Sequence, residues 1–334
     1  MDEARRVHGG ADALGVPAHD FSTNRNACGP CPEVWTALRE ADVAHYPDPL
    51  YHALRARLAE WHGVSAERVV VAGSGSEFIH RITAWVARSS PTARVSVPAQ
   101  AYGDYAQAAR AWGLTCETTA AHARLQWHCL PSSPFGHSDA AWIDTTQGRQ
   151  DVVRVLDLAY EPLRLTGPSP LHNTEGLARV WQLWTPNKAL GMTGVRGAYA
   201  IAPLGAHEEA RALSDLAPSW VLGMHGVVML QAWTQPTVQD WLARSRQTLQ
   251  AWKQTQVRSC EALGWRILPS DANYFTAHLP QAHGAALKQF LRTHGIKLRD
   301  ATSFGLPGAV RVGVLPPASQ QVLCEAWHRW EERA

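Results

Sequence analysis

The sequence predicts an α/β protein with a large, mainly parallel, doubly wound sheet followed by a smaller α+β unit. Three observations carry this. Short apolar runs recur at 68–72, 94–98, 114–118, 125–130, 152–157, 178–184 and 197–202, with helix-like segments between several of them; that alternation suits strands wrapped by helices. The run Val152-Val153-Arg154-Val155-Leu156-Asp157 is the clearest buried strand. Near residue 236 the texture changes: a long helical stretch, Val238 to Leu263, leads into β-like runs at 265–270, 272–279, 295–300 and 309–314 and helical segments at 284–294 and 317–331. The expected division is a large unit over 36–235 and a small one built from 1–35 and 236–334.

Taken in order, residues 50–62 read as an amphipathic helix, because Leu54, Leu58 and Trp61 fall at i, i+4 and i+7. Arg68 to Ala72 is a strand ending in Gly73-Ser74-Gly75-Ser76, and Phe78, Ile79, Ile82, Trp85 and Val86 then give a helical stripe. The most apolar stretch, Trp220 to Trp233, is interrupted by Gly223, His225, Gly226 and Gln231, and is too short and polar to span a bilayer.

Composition excludes several classes. With 46% hydrophobic and 18% charged residues the chain can build a core, and a net charge of +2 lacks the basic footprint of a nucleic-acid binder. Six cysteines in 334 residues are too few for a disulfide scaffold. The start, Met1 to Arg6, is charged with no apolar run behind it, so the expectation is a cytoplasmic protein without a membrane segment. Fifteen tryptophans are a surplus. Trp61 and Trp85 fall on apolar stripes, Trp181 and Trp184 in a β-like run, and Trp327 and Trp330 at i, i+3 of the last helix, so packing explains most of it.

Several segments carry chemistry. The loop Gly73-Ser74-Gly75-Ser76-Glu77 sits between strand and helix, where free amides and small residues suit a phosphate or an ordinary tight turn; no Gly-Lys-Ser/Thr follows, so it is not a Walker A loop. Thr185-Pro186-Asn187-Lys188-Ala189-Leu190-Gly191-Met192-Thr193-Gly194-Val195-Arg196 brings a hydroxyl, an amine and a guanidinium together. It suits a Schiff-base lysine beside a phosphate site, or a solvated lysine on a flexible loop. Asp157 ends the buried strand, where open α/β sheets bind ligands, or caps a turn there. Arg311 lies in a late strand, able to pair with a carboxylate or simply exposed.

In this order and spacing, from about Asp20 to Val314, these pieces resemble the class I/II pyridoxal-phosphate aminotransferases of fold type I, and Thr-x-x-Lys-x-x-Gly-x-x-Gly-x-Arg is the most specific part. Tyr46-Pro47-Asp48-Pro49, Leu54 to Ala59, His62-Gly63-Val64 and Gly295-Ile296 with Arg299 are similar to the histidinol-phosphate aminotransferase and threonine-phosphate decarboxylase branch. His8-Gly9-Gly10, Asp20 to Asn26 and Gly29-Pro30 look like the decarboxylase's opening. The resemblance implies a pyridoxal 5'-phosphate cofactor bound to Lys188, with Asp157 at the pyridine nitrogen, Tyr160 at the ring oxygen and Tyr102 on the ring face. Gly75, Ser76, Glu77, Thr185 and Arg196 would cradle the phosphate, with Tyr46 supplied by the second subunit of a homodimer. Asn24 and Arg311 would hold a substrate carboxylate, and Arg299 and His8 a substrate phosphate. The implied reaction is decarboxylation of L-threonine O-3-phosphate in cobalamin biosynthesis, with transamination of histidinol phosphate or a related amino acid as the alternative.

Two departures stand out. The family's Asn-Pro-x-Asn-Pro-x-Gly stretch appears as Leu130-Pro131-Ser132-Ser133-Pro134-Phe135-Gly136, so Ser133 stands where an Asn meets the ring; Asp-Glu-Ala-Tyr appears as Asp157-Leu158-Ala159-Tyr160. A degenerate, non-catalytic member is therefore a further alternative. Cys28-Gly29-Pro30-Cys31 also has the sequence of a thiol oxidoreductase, although the stretch before it is polar where a strand is needed. No metal site is expected, because His207-Glu208-Glu209 lacks a second His and no further Cys pair has zinc spacing.

Overall fold

The computed structural model describes residues 8–137, 151–280 and 285–333; the charged start at 1–6 lies outside them. A seven-stranded sheet forms from β2 (Val69–Ala72), β3 (Arg94–Ser96), β4 (Thr115–Glu117), β5 (Leu125–Cys129), β6 (Val153–Asp157), β7 (Trp181–Trp184) and β8 (Ala198–Ile201), in the order β2-β8-β7-β6-β5-β3-β4. All pairs are parallel except the two that β8 makes with β2 and β7. Every apolar run expected to be a strand of this sheet is one.

Both faces of this sheet are buried, as a mainly parallel sheet requires. Leu125, Trp127, Val153, Val155, Trp181 and Leu183 pack with Phe78, Ile79 and Ile82 of α3 (Gly75–Ser89) and Tyr105 and Ala108 of α4 (Gly103–Ala111). Leu156, Leu158, Trp184 and Tyr199 face the other way, onto α1 (Pro32–Arg39), α2 (His52–His62) and the core residues of Met224–Trp233. The apolar stretch at 220–233 is thus a helix buried in the core, and no described helix is long and apolar enough to cross a membrane. Trp61 departs from its apolar stripe: Leu54 and Leu58 are buried, but Trp61 lies at the end of α2 and is 43% exposed.

The long helix Pro236–Ala262 leads to an antiparallel sheet of β9 (Arg266–Ile267), β10 (Tyr274–His278), β12 (Arg299–Asp300) and β13 (Ala309–Gly313), in the order β12-β13-β10-β9. Its core holds Phe275, Val310 and Val312 with Trp327, whose ring meets Trp265 edge-on at 5.0 Å. The N-terminal arm joins this sheet's neighbourhood because β1 (His19–Asp20) pairs in parallel with β11 (Ile296–Lys297).

Candidate active site

Strand period places the site. Side chains alternate between faces, so Cys129, Asp157 and Thr185 each continue the α3/α4 face of β5, β6 and β7 just past the last core residue, and Cys129 and Asp157 are direct neighbours in register. With Lys188, Tyr160, Tyr102, Tyr105, Ser133, Asn187, Gly75, Ser76 and Arg196 they line one cavity of about 190 Å³, room for about a dozen water-sized bodies.

The floor is Asp157, buried, with one oxygen accepting from the Ala159 N–H (2.9 Å) and the other from the Tyr105 hydroxyl (2.6 Å). Burial raises its carboxyl above the ordinary carboxylate range, while the Lys188 charge, Tyr105 and Ala159 pull it back. The Lys188 amine lies 3.5 Å from Thr185 Oγ1 and 5.3 Å from the centre of the Tyr160 ring.

The lysine loop is held from behind by Asn26 and the Cys-Gly-Pro-Cys segment that follows it. Lys188 O accepts from Asn26 N, Leu190 O from Cys31 N, and Ala189 O from the Asn26 amide. Gly29 and Gly191 face each other so closely that a Cβ on Gly191 would sit 2.7 Å from Gly29 Cα, and Gly191 has φ +71°. Cys31 is the N-cap of α1, whose Val34 and Glu33 N–H groups favour a thiolate, but burial outweighs them. Burial, with Glu33 nearby, pushes Cys31 up to about 12, and burial raises Cys28. Raised thiols do not suit the oxidoreductase expectation, and the segment's backbone contacts brace the lysine loop.

At the α3 end of the cavity, Ser74 caps α3 by accepting from Glu77 N, which leaves the Gly75 and Ser76 amides at the helix N-terminus facing the cavity. A side chain at Gly75 would meet Thr185 Cγ2 at 2.9 Å, so only glycine brings helix and strand end together. Ser76 Oγ bonds the Tyr102 hydroxyl (3.2 Å). Glu77 is engaged elsewhere, its carboxylate accepting from Gly73 N and from Arg81.

Outside the cavity lining, two buried arginines, Arg299 and Arg311, stand directly opposite each other in the β12–β13 register and both lie within 6 Å of the Phe304 ring, at 4.8 and 5.5 Å; Arg311 reaches the cavity through Ser133, while Arg299 lines a separate pocket with His8. Arg311 donates to Ser133 Oγ (3.0 Å) and Ser22 O (3.2 Å), and its Nε is buried without a partner. Arg299 donates to Asp300 O and Ser303 Oγ; burial and the Arg311 charge push its guanidinium down to about 10. Both amide atoms of buried Asn24 lack a partner. His8 lies 6.2 Å from Tyr102, ring centre to ring centre. Tyr46 is set apart, 76% exposed and stacked on Trp220 at 4.4 Å.

The two departures have physical outcomes. Leu158 is fully buried in the core on the far face of the sheet, where a carboxylate would be desolvated. Ser133 Oγ is committed to Arg311. Sequence reasoning missed Tyr105, Asn187 and Tyr274, whose hydroxyl anchors Ser132 O at 2.7 Å.

The family model for aminotransferase class I and II matches residues 17–132 and 138–327. The chain belongs to that family. The expected pyridoxal-phosphate enzyme is thereby met at the level of the family. A histidinol-phosphate aminotransferase of Symbiobacterium thermophilum is 27% identical over 92% of this chain and 90% of its own length, and one of Methylococcus capsulatus is 25% identical over 92% and 89%. Among solved structures, the histidinol-phosphate aminotransferase of Sinorhizobium meliloti in complex with pyridoxal-5'-phosphate superposes with TM-score 0.81 at 21% identity, covering 96% of this chain and 95% of that one. The L-threonine-O-3-phosphate decarboxylase of Porphyromonas gingivalis gives 0.79 at 20%, covering 93% and 99%. These two likenesses bear on the aminotransferase fold alone. The matched relatives' names shift the balance from the decarboxylase expectation towards transamination.

Proposed function

We propose that this aminotransferase uses pyridoxal 5'-phosphate to move the amino group of a small phosphorylated amine, with histidinol phosphate as the first donor to test. The observation that carries the substrate class is the buried Arg299–Arg311 pair. Two guanidiniums side by side repel each other until a doubly charged anion lies between them, and their planar forks suit phosphate oxygens. The names of the relatives support the same reading.

The residues fit the cofactor. Asp157 would meet the ring nitrogen, Tyr160 the ring oxygen and Tyr102 a ring face; the Gly75 and Ser76 amides with Ser76, Thr185 and Arg196 would take the phosphate. The tightness at Gly75 and the partnerless Oδ1 of Asn187 mark a site shaped for a polar guest. When bound, the cofactor supplies an electron sink for a carbanion at the substrate's α-carbon. Lys188 takes and returns the proton at that carbon. The arginines and Asn24 fix which substituent faces the lysine, and the buried walls exclude water. The proposal includes a homodimer in which the exposed Tyr46 reaches the phosphate site of the second subunit.

Decarboxylation of O-phosphothreonine is the second reading, favoured by the placement of His8 beside Tyr102. Cofactor-loaded protein is incubated with histidinol phosphate plus 2-oxoglutarate and, separately, with O-phosphothreonine while CO₂ is measured. Acceptor-dependent turnover of the first is expected. CO₂ release without an acceptor would replace transamination by decarboxylation, and no turnover of either would overturn the substrate class.

A further inference from the structure

We propose that Tyr105 is a positioning residue of the active site: its hydroxyl fixes Asp157 and sets how much negative charge that carboxylate presents to a cofactor. The inference rests on the pyridoxal-phosphate reading above and goes beyond it, because nothing in the sequence motifs touches Tyr105.

Four observations carry it. The Tyr105 O–H to Asp157 Oδ2 contact is 2.6 Å, within the short range of hydrogen bonds to a carboxylate, and both groups are buried. The ring is locked, stacked on Trp127 at 4.6 Å and 11°, so the hydroxyl has one direction to point. Tyr105 meets Tyr102 edge-on at 5.8 Å and 87°, one helical turn along the start of α4. The same turn therefore delivers both the side chain over the cavity and the donor beneath it. Finally, the Ala159 N–H holds the other oxygen, so Asp157 is fixed from two sides while each oxygen keeps a lone pair for a guest.

The groups facing Asp157 from every packed element are Tyr105 on α4, Cys129 on β5, Lys188 on the β7–β8 loop and Tyr274 on β10. Lys188 is the cation among them. A donor withdrawn from Asp157 leaves its negative charge less balanced, which favours positive charge on a group bound against it. Burial raises the Tyr105 hydroxyl well above its ordinary range, so it stays a donor at any working pH.

Tyr105→Phe keeps the stack on Trp127 and removes the O–H alone. The full chain is loaded with pyridoxal phosphate and its visible absorption is titrated with pH. The midpoint is expected to rise by on the order of one pH unit, and the rise should disappear in an Asp157→Asn background, because the effect runs through that carboxylate. Site-directed 3-fluorotyrosine at 105, a stronger donor of nearly the same shape, is expected to lower the midpoint, and it decides the matter if the Phe variant fails to fold. A loaded Tyr105→Phe protein with an unchanged or lowered midpoint overturns the proposal, as does a shift that persists undiminished in the Asp157→Asn background. Wild-type protein that gains no visible band with pyridoxal phosphate overturns the cofactor reading instead, and this inference with it.

Discussion

Replacing Arg299 by Met separates a binding role from a structural one. The Arg299 stem and guanidinium lie against Phe304 at 4.8 Å, and a methionine side chain keeps apolar contact there while deleting the charge. Hydrogen bonds to charged groups contribute about 1.5–3 kcal/mol each. Loss of one charge-assisted contact to a substrate phosphate therefore lowers kcat/KM by roughly 10- to 150-fold. Stability responds differently. Arg299 gives up bonds that include those to Asp300 O and Ser303 Oγ, but its burial and its repulsion by Arg311 also vanish, so the loss of stability is expected to be smaller than the loss of kcat/KM. The assay compares histidinol phosphate with unphosphorylated histidinol in wild type and variant, alongside denaturant unfolding. The loss should be confined to the phosphorylated donor. Equal losses on both donors, or none on either, would refute the anion site.

Three further outcomes follow from the same geometry. Gly191→Ala must place a Cβ against Gly29 Cα at φ +71°, so it should cost about 2–4 kcal/mol in unfolding experiments and weaken cofactor retention by shifting the lysine loop; a variant as stable as wild type counts against the brace. Cys28→Ala with Cys31→Ala should keep transaminase activity within about threefold and leave no disulfide-reductase activity to lose, since the raised thiols take no part. His62, partly buried and hydrogen-bonded to Tyr199 at 2.8 Å, is pushed down to about 4 by desolvation, so the unfolded chain binds its proton first as pH falls. Its contribution is complete above about pH 6.5 and is lost towards pH 4, up to about 3 kcal/mol. His62→Gln should flatten that part of the pH–stability curve, and an identical slope would place the acid sensitivity elsewhere.

What is legible in the sequence follows from how local each signal is. The strands of the large sheet are readable because parallel strands are apolar on both faces. The reversed direction of β8 is not, because Ala198 to Ile201 is apolar whichever way it runs. Lys188, Asp157, Thr185 and Arg196 are readable because they sit in short segments whose spacing reflects one loop or one strand end. Trp61 escapes its stripe because the face that buries Leu54 and Leu58 runs out at the end of α2. Tyr105 is invisible for the opposite reason: a tyrosine three residues after Tyr102 acquires its partner only when α4 settles across β5 and β6.

The arginine pair shows where such reading must stop. Arg299 and Arg311 face each other because β12, only two residues long, pairs Arg299 with Arg311 and Asp300 with Val310. A slip of one residue along β12 would set Asp300, not Arg299, opposite Arg311 and turn the Arg299 side chain to the other face of the sheet. A carboxylate in that place would neutralise Arg311 and repel a phosphate. The substrate class proposed for this protein therefore depends on a single step of strand register, which composition and motif spacing leave open. Phe304 helps to fix that step, since its ring lies under both guanidiniums and only the observed register brings them together over it.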